Sequence, residues 1–386
     1  MEHDDDIDCI VVDNGSWMIK AGYSSGKTAR VYEKTVVGRK ISESSDQIDI
    51  HIGDRACYPP ECQLSWPIER GAVVDWDEME LVWDFIFKRE LKDTVNNHPM
   101  LITEVPGNHH SNRDKMVEIL FEKYNVSSLY IIEPGSLSLI SSGRITGIVL
   151  DIGGTTTHVS ALHDGKNLLH TQDTEDVSEM YDRSKYRLDI GGNDITRYLQ
   201  NWIDQKYHTI CNTWSHDKLF QNAELLKHYL LSWQQDNEPN TFSFSDGTEL
   251  PLDKELLTCF DVLFDSKLVG LDLPGIDVML TDVLSSFDDD IKKQLYSNVI
   301  LSGGATLCPG ITDKITSSLK NRAAGLDGNV KVICPPERRK SSWLGGSVIG
   351  SLEVFPSLCK SRQSYFDRGV HQFHSFPGLE CLKNLS

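Results

Sequence analysis

The same short pattern occurs twice in the chain, and it constrains the fold more than any other feature. In each copy an apolar run of strand length ends at an aspartate, Asp13 in the first and Asp151 in the second, and a glycine-bearing turn follows. Alternating residues then resume, from Lys20 and from Val159, so each copy predicts a strand, a tight turn and a second strand. Such a duplication indicates two α/β lobes that face each other across a cleft.

Length and composition agree with two lobes. The chain has 386 residues, of which 39% are hydrophobic and 25% charged, enough for two or more packed units with ordinary cores. Its formal net charge of −19 repels the phosphate backbone of nucleic acids. We therefore expect no direct binding to nucleic acid.

The compartment is predicted from targeting signals and cysteine usage. Residues 1–6 are mostly acidic, unlike the basic start of a signal peptide, and no apolar stretch approaches the ~20 residues that span a bilayer. The nine cysteines are scattered without a CxxC pair, which is typical of reduced thiols. We expect an intracellular protein without membrane contact, located in the cytoplasm and cytoskeleton, with the nucleus as the alternative.

The two glycine-bearing turns are candidate phosphate cradles. Small residues let the main chain approach phosphate oxygens, and the amide dipoles of such a turn point inward. Asp13 and Asp151 end buried strands, so they are candidate ligands for a hydrated divalent cation between the lobes, and Lys20 would neutralise phosphate charge. The candidate phosphate-binding residues are Gly15, Ser16, Trp17, Lys20, Gly153, Gly154, Thr155 and Thr156.

Further glycine turns would complete a nucleotide site. Gly192 precedes a helical pattern, and Gly303 and Gly304 follow an apolar strand, so these backbones would approach the ribose and base. A single glycine turn is weak evidence, because hairpins in general use glycine for positive φ. Several such turns with a matching aspartate pair favour a nucleotide site. The alternative is that Asp13 and Asp151 are retained as turn residues in a fold that no longer binds nucleotide.

A series of short strings lies in order along the chain and carries a family resemblance. Beside the two hairpins, the strings are Trp66-Pro67-Ile68-Glu69, Trp76-Asp77, Asn112-Arg113, Ser142-Gly143-Arg144, Leu301-Ser302-Gly303-Gly304, Pro309-Gly310-Ile311 and Pro335-Pro336-Glu337-Arg338. On these strings the chain resembles the actin family from about residue 8 to residue 369.

The resemblance implies the α/β actin fold, with two duplicated ribonuclease-H-like lobes, each carrying a smaller subdomain, and a nucleotide cleft between them. The first lobe would comprise residues 1–141 and 346–386, with its subdomain at about 35–72. The second would comprise residues 142–345, with its subdomain at about 184–260. The cleft would hold ATP or ADP with Mg²⁺ or Ca²⁺.

The nucleoside end of the cleft departs from the family pattern. The resemblance places Ala305, Cys308 and Arg339 beside the nucleoside. Cys308 stands where the family has a tyrosine, and Arg339 stands where it has a lysine. The family's Lys-Glu pair does not align cleanly near Glu224 and Lys227. We therefore expect altered base recognition.

Three departures at the phosphate end predict slow or absent hydrolysis. Trp17 replaces a glycine of the first phosphate loop, and a positive φ there would add strain of about 1–2 kcal/mol. Gly154 replaces an aspartate that orients metal-bound water. Pro134 replaces the glutamine that positions the attacking water, and proline offers neither a side-chain donor nor a backbone N–H. No catalytic residue is assigned; Glu133 could substitute only if its side chain turned inward.

Filament surfaces also depart from the family. Residues 40–50 form a shorter and more acidic version of the family's mobile loop, and residues 264–276 keep their glycines but change character. We expect no extended homofilaments, because like-charged surfaces would meet without an apolar tip. The tail after Gly369 is long and aromatic, and Phe373 and Phe376 are predicted to contact a partner or the protein's own body.

The leading interpretation is therefore an actin-related protein with a structural role. It would bind ATP or ADP as a conformational staple and serve as a non-polymerising subunit of a larger cytoskeletal, ciliary or chromatin assembly, with conventional actin among the candidate partners. Two alternatives remain open: a divergent polymerising actin with a working ATPase, and a nucleotide-free adaptor. His109 and His110 have no obvious companions for a metal site and are expected to be solvated.

Overall fold

The computed structural model describes residues 8–41, 48–57, 62–92, 95–169, 186–211, 213–233, 241–323 and 329–385. The loop predicted to be short and acidic therefore lies largely outside the described residues. The strands are β1 (Ile10–Asn14), β2 (Met18–Tyr23), β3 (Val31–Lys34), β4 (Val37–Ile41), β5 (Ile48–Ile52), β6 (Gln63–Ser65), β7 (Ile68–Glu69), β8 (Ala72–Val73), β9 (Pro99–Thr103), β10 (Ser128–Ile132), β11 (Gly147–Ile152), β12 (Thr157–His163), β13 (Lys166–Asn167), β14 (Arg187–Leu188), β15 (Thr241–Ser243), β16 (Glu249–Pro251), β17 (Val299–Ser302), β18 (Val332–Ile333) and β19 (Lys360–Ser361).

Helices connect these strands and cover the sheets. The α-helices are α1 (Trp76–Asp84), α2 (His110–Glu122), α3 (Pro134–Ser141), α4 (Gly192–Cys211), α5 (His216–Leu230), α6 (Ile276–Ser285), α7 (Asp289–Tyr296), α8 (Ile311–Arg322), α9 (Ser341–Gly350), α10 (Phe355–Leu358) and α11 (Arg362–Arg368). A π-helical segment, Phe85–Glu90, continues α1, and 3₁₀ helices occupy Gly53–Cys57, Lys254–Leu263, Ser266–Val269, Gly304–Leu307, Val370–His374 and Glu380–Leu385. None of the described helices is both long and apolar enough to cross a membrane.

Two six-stranded sheets organise the molecule. The first has the order β19-β10-β9-β1-β2-β3, and the second has the order β13-β12-β11-β17-β18, with β14 paired to β12. In both sheets the repeated pattern forms an antiparallel hairpin, β1–β2 in the first and β11–β12 in the second. Both β1 and β11 also pair in parallel with a further strand, which explains their continuous apolar runs.

Each sheet has its own hydrophobic core. The first core takes its buried side chains from residues 9–140 and 343–382, with Trp83 and Trp343 fully buried at its centre. The second takes its buried side chains from residues 148–323, for example Ile195 and Leu280. Helices α3 and α9 pack against each other. The residue boundaries given above for the two lobes and their subdomains remain predictions.

A small three-stranded sheet, in the order β5-β4-β6, stands beside the first large sheet. Strand β5 lies at its edge, and within the described part of the chain its outer side has no partner strand. Ile48 and Ile50, two residues apart on β5, are 58% and 48% exposed. Because alternate residues of a strand share a face, these side chains form an apolar pair on an open edge.

The carboxy-terminal tail packs onto its own lobe, which is one of the two contacts predicted for its aromatic side chains. Phe373 is fully buried and Phe376 is 8% exposed. Phe373 packs edge-on against Phe121 with ring centroids 5.3 Å apart, and Phe376 packs in the same way against Tyr130 at 5.6 Å. These edge-to-face contacts with aromatic residues of the first core stabilise the buried positions of Phe373 and Phe376.

Candidate functional site

A cavity of about 320 Å³ lies between the two sheets and collects nearly all of the predicted site residues. Its lining includes the turns of both hairpins and the starts of α3, α4 and the 3₁₀ helix that follows β17. Thr155 is the one predicted residue outside the lining. The predicted residues that line the cavity are Asp13, Gly15, Ser16, Trp17, Lys20, Pro134, Asp151, Gly153, Gly154, Thr156, Gly192, Gly303, Gly304, Ala305, Cys308 and Arg339.

Two buried aspartates stand at the base of this cavity. Asp13 and Asp151 are 7% and 9% exposed, each near the carboxyl end of the central strand of its sheet. Lys20 donates to Asp13 over 2.8 Å, and Ser302 hydrogen-bonds to Asp151. Burial raises the pKa of Asp151 to about 6, and the charge of Asp13 adds to the effect. At neutral pH the two aspartates and Lys20 therefore carry two negative charges and one positive charge, and this end of the cavity favours a cation.

The residues opposite the two aspartates differ in charge. In the strand register Lys20 faces Asp13, whereas His158 faces Asp151. Burial alone would lower the pKa of Lys20, but the charge and hydrogen bond of Asp13 outweigh it and raise the pKa. For His158, burial lowers the pKa to about 4, and the charge of Arg187 lowers it further. At neutral pH the first aspartate has a cation beside it, and the second faces a neutral imidazole.

The two hairpin turns touch each other directly across the cavity. The hydroxyl groups of Ser16 and Thr155 are 2.6 Å apart and hydrogen-bonded. A Cβ atom added at Gly154 would overlap the Cβ of Trp17, so the main chain of the second turn lies against the indole of the first. The glycine at this position therefore leaves room for Trp17, which explains why the two departures from the family pattern occur together.

Trp17 fills the space between the lobes with its ring. The ring stacks on Trp66, with centroids 4.3 Å apart and planes 10° apart, and its Nε1 donates to Glu224 over 3.1 Å. Lys34 also donates to Glu224, over 2.9 Å. Trp17 is not among the residues with positive φ, so the strain expected at this turn does not arise. Its contacts join the first hairpin to α5 of the second lobe.

Arg70 makes a second connection across the cleft. Its guanidinium donates to the main-chain oxygen of Thr155 over 2.7 Å and to both carboxylate oxygens of Asp194 over 3.1 and 3.2 Å. Arg70 follows β7, and Asp194 lies in the first turn of α4. A paired guanidinium and carboxylate fixes orientation as well as distance, so this contact aligns the two sides of the cleft.

Pro134 occupies the first position of α3 and lines the cavity. Proline suits this position because its missing N–H is not needed there, but it presents only a hydrocarbon ring to the cavity. Glu133, the proposed substitute, faces elsewhere: its carboxylate accepts from Asn167 over 3.1 Å and from Ser160 over 3.4 Å. Glu133 is not part of the cavity lining.

The cavity also contains polar residues that were not assigned to the site from the sequence, among them the pair that did not align cleanly with the family. Glu224 and Lys227, three residues apart on α5, both line it, and Lys227 donates to the main-chain oxygen of Gly192 over 3.0 Å. The helical spacing was the available signal. Asn193 and Arg338 line it as well. At the nucleoside end Cys308 is buried, and burial raises its pKa to about 12, so it acts as a small apolar wall.

The residues present fit a nucleotide with a divalent cation. Three cavity-lining residues, His158, Asn193 and Arg338, each carry a buried polar atom without a hydrogen-bond partner. Such atoms are costly unless a ligand or solvent satisfies them. Asp13 and Asp151 would hold the cation, which would neutralise phosphate charge, and Lys20 would assist.

The comparisons with known proteins agree with this geometry. The actin family model matches residues 4–219 and 207–375 of the chain. A relative from Neurospora crassa, described as "Actin-like protein", is 31% identical over 366 residues, which cover 90% of this chain and 93% of the relative. The chain therefore belongs to the actin family, as a divergent actin-related protein. The predicted fold class is confirmed, and members of this family generally bind ATP or ADP with a divalent metal.

Proposed function

We propose that this protein is a non-polymerising structural subunit of a larger protein assembly. It binds ATP or ADP with Mg²⁺ or Ca²⁺ as a structural ligand and hydrolyses it slowly or not at all. Its assembly belongs to the cytoskeleton, the cilium or chromatin, and conventional actin is a candidate partner. We place it inside the cell, because each cysteine whose side chain is described is free.

One observation carries the proposal: Trp17 lies against Gly154 and bridges to Glu224. The indole occupies the space between the two hairpin turns, where an orienting carboxylate would otherwise stand. Pro134 adds to this, because it gives the cavity no group that could position water. The cleft is thus equipped to hold a ligand, whereas Gly154 and Pro134, the two positions where the family orients and positions water, offer no side-chain donor or acceptor.

A structural role for the nucleotide follows from where the cavity lies. Its lining comes from both sheets, so one ligand would contact both lobes. A ligand that binds only the folded state stabilises it, by about 2.7 kcal/mol at a hundredfold excess over Kd. The nucleotide would therefore keep the lobes in one relative position for a partner to recognise.

A second candidate function, a nucleotide-free adaptor, is favoured by the contact between Ser16 and Thr155. This hydrogen bond of 2.6 Å and the bond from Trp17 to Glu224 close the cleft with the protein's own side chains. In that case the buried polar atoms of Asn193 and Arg338 would be satisfied by solvent.

The experiment that separates these functions is denaturing extraction of nucleotide combined with single-turnover hydrolysis. Under the proposal, protein purified in magnesium buffer releases about one nucleotide per chain, and added ATP remains uncleaved over many minutes. Release of no nucleotide, with an unchanged melting curve in millimolar ATP and magnesium, would establish the adaptor. Rapid cleavage by the natural protein would establish a working ATPase.

Variants sharpen the hydrolysis test. Pro134→Gln should raise turnover only modestly, because Gly154 still lacks the carboxylate and Trp17 still fills the space. The triple variant with Gly154→Asp and Trp17→Gly should raise it further. Gly154→Asp alone is the control: it should lower stability without raising turnover, because Trp17 occupies the position of its Cβ.

The expectation that the protein forms no homofilaments rests on surface chemistry. The net charge of −19 opposes contact between identical copies. The segment after the 3₁₀ helix Ser266–Val269 is held on its own lobe, because the Ser266 hydroxyl donates to the main-chain oxygen of Leu273 over 2.8 Å and accepts from its N–H over 2.9 Å. Ile48 and Ile50 on the open edge of β5 instead offer an apolar strand to a different chain.

Pelleting and negative-stain imaging test this part at micromolar protein with ATP, magnesium and physiological salt. We expect the protein to stay in the supernatant. Regular long filaments would overturn the structural-subunit proposal in favour of a polymerising actin. In co-purification from native cells, the double variant Ile48→Ser, Ile50→Ser should lose bound partners while its melting temperature stays unchanged.

A further inference from the structure

Three side chains with metal-ligand chemistry converge where the tail meets α2, and none of them belongs to the cavity lining. Asp114 belongs to α2, and His371 and His374 belong to the tail helix Val370–His374. One ligand atom of each side chain lies within 4.8 Å of the ligand atoms of the other two. The Nε2 of His374 and an oxygen of Asp114 are already 2.7 Å apart.

Local structure brings the two histidines together. A 3₁₀ helix has three residues per turn, so side chains three positions apart lie above one another, and His371 and His374 have this spacing. Their ring centroids are 5.4 Å apart. His110 stacks on His374 at 4.1 Å with planes 20° apart, which restricts the rotation of that ring.

The tail is fixed in this place by contacts independent of the three side chains. Arg113 donates to the main-chain oxygen of His374 over 2.6 Å, and Lys360 donates to that of Ser375 over 2.5 Å. Phe373, between the two histidines, is fully buried in the first core. The main chain is therefore positioned in advance, and only side-chain rotation is needed to bring the three ligand atoms together.

The donor set indicates the metal. Two imidazole nitrogens and one carboxylate oxygen suit zinc, which takes nitrogen ligands at about 2.0–2.1 Å and oxygen ligands at about 2.0–2.2 Å. Calcium and magnesium prefer oxygen ligands alone. His371 is exposed, and the side chains of Asp114 and His374 are 30% and 27% exposed, so an ion can enter from solvent.

We propose that Asp114, His371 and His374 form a zinc site that staples the tail to α2. The site has three protein ligands and leaves a fourth position of the tetrahedron to water. Zinc replaces the hydrogen bond between Asp114 and His374 and adds His371, which has no part in that bond. The ion thus joins residues more than 250 positions apart in the chain and locks the end of the first core in place.

The test is zinc titration of the full chain by calorimetry, beside the variants His371→Ala and Asp114→Asn. We expect one site per chain outside the cleft, and each variant should weaken its affinity at least tenfold. His371 is exposed and needs no folding contact, so its loss should leave the zinc-free melting temperature unchanged. His216→Ala removes an exposed histidine at the start of α5 and is the matched control, with unchanged zinc affinity.

Cobalt as a spectroscopic substitute excludes the cysteines and the cleft aspartates as the source of binding. A tetrahedral nitrogen and oxygen site gives visible absorption without the near-ultraviolet sulfur charge-transfer band of thiolate ligation. We expect that spectrum for the natural protein and its loss in His371→Ala. A sulfur band, an octahedral spectrum, or affinities that do not differ between the natural protein and both variants would overturn the proposal.

Proteolysis of the tail supplies a second readout. Zinc should slow cleavage within residues 370–385 severalfold in the natural protein and not in His371→Ala. Equal protection in both proteins would show that zinc does not act through this cluster. Because the site is separate from the cleft, these results do not depend on whether nucleotide is bound.

Discussion

The two hairpins pair their aspartates in the same register but differ in electrostatics. Each places an aspartate near the end of its first strand and a side chain opposite it, Lys20 for Asp13 and His158 for Asp151. Lys20 is charged and bonded to its aspartate. His158 is neutral, and its Nδ1 has no hydrogen-bond partner. The first hairpin is thus neutralised by its own lysine, whereas the second leaves Asp151 in need of an external cation.

The difference shows that two copies of one hairpin can have separate roles, one in holding the lobes together and one in binding a ligand. In the first hairpin Lys20 already compensates the charge of Asp13, and Trp17 bonds to Glu224 of the second lobe. In the second hairpin Gly154 leaves room for the Trp17 side chain, and the carboxylate of Asp151 remains for a ligand to neutralise. One copy of the motif therefore connects the two lobes, and the other copy needs a bound ligand to neutralise its aspartate.

Removing the lysine of the first hairpin should have the largest effect. Lys20→Met leaves Asp13 buried without a counter-charge beside Asp151, and breaking a buried pair in this way costs about 3–5 kcal/mol. Urea unfolding at neutral pH measures the loss. Adding Asp13→Asn should restore most of the stability, because no uncompensated charge then remains; an equally unstable double variant would contradict the electrostatic explanation.

The bridge from the first hairpin to Glu224 should make stability depend on pH. Burial would raise the pKa of Glu224, but the hydrogen bond from His228 and the charges of Lys34 and Lys227 lower it to about 2. The folded pKa lies below the unfolded value, so this stabilisation is present above about pH 4.5 and disappears as the pH falls toward 2.

Glu224→Gln tests that dependence. At pH 7 it should cost about 3 kcal/mol in urea unfolding, and the gap to the natural protein should narrow steadily below pH 4.5. Glu118→Gln is the matched control, since its side chain is 45% exposed and pairs with Lys115 on the surface. A gap for Glu224→Gln that stays constant down to pH 3 would show that its charge is not the cause.

Supplying the second hairpin with its missing cation should stabilise the fold by a similar amount. Nucleotide and magnesium at a hundredfold excess over Kd should add about 2.7 kcal/mol, seen as a melting temperature several degrees higher. Asp151→Asn should remove most of this shift, because it removes the carboxylate that the cation would neutralise. A full shift in that variant would place the ligand elsewhere.

Alanine substitutions at the equivalent turn positions Gly154 and Ser16 should destabilise the fold by different amounts. Gly154→Ala forces a Cβ against Trp17 and should cost about 2 kcal/mol, whereas Ser16→Ala removes one hydrogen bond and should cost about 1 kcal/mol. Combining Gly154→Ala with Trp17→Gly should relieve the crowding. If melting curves show that Gly154→Ala destabilises the natural protein and the Trp17→Gly variant equally, crowding between Gly154 and Trp17 is not the cause.

Local patterns predicted the hairpins well, because strand, turn and aspartate lie within a few residues of one another. Asp13, Asp151 and the glycines of both turns could be named from the sequence for that reason. The glycine turn before α4 and the one after β17 were equally visible. All of these residues line one cavity in the structure.

Contacts between distant segments could not be predicted in this way. The bond from Trp17 to Glu224 joins residues 207 positions apart, and that between His374 and Asp114 joins residues 260 apart. Sequence alone showed the bulk of Trp17 but not that Trp66 and Glu224 would receive it. It likewise showed an aromatic tail, but whether Phe373 meets a partner or its own core depends on packing that only the fold defines.

The composition of the first core has a consequence for how the protein is made. Synthesis proceeds from the amino end, so the second core, drawn from residues 148–323, can close while the ribosome is still translating the last segment of the first. The apolar strands β1, β9 and β10 must wait for Trp343, Phe373 and Leu382 before their core is complete. The lobe encoded first is therefore the lobe finished last, and it is the one that a chaperone would need to shield in the interval.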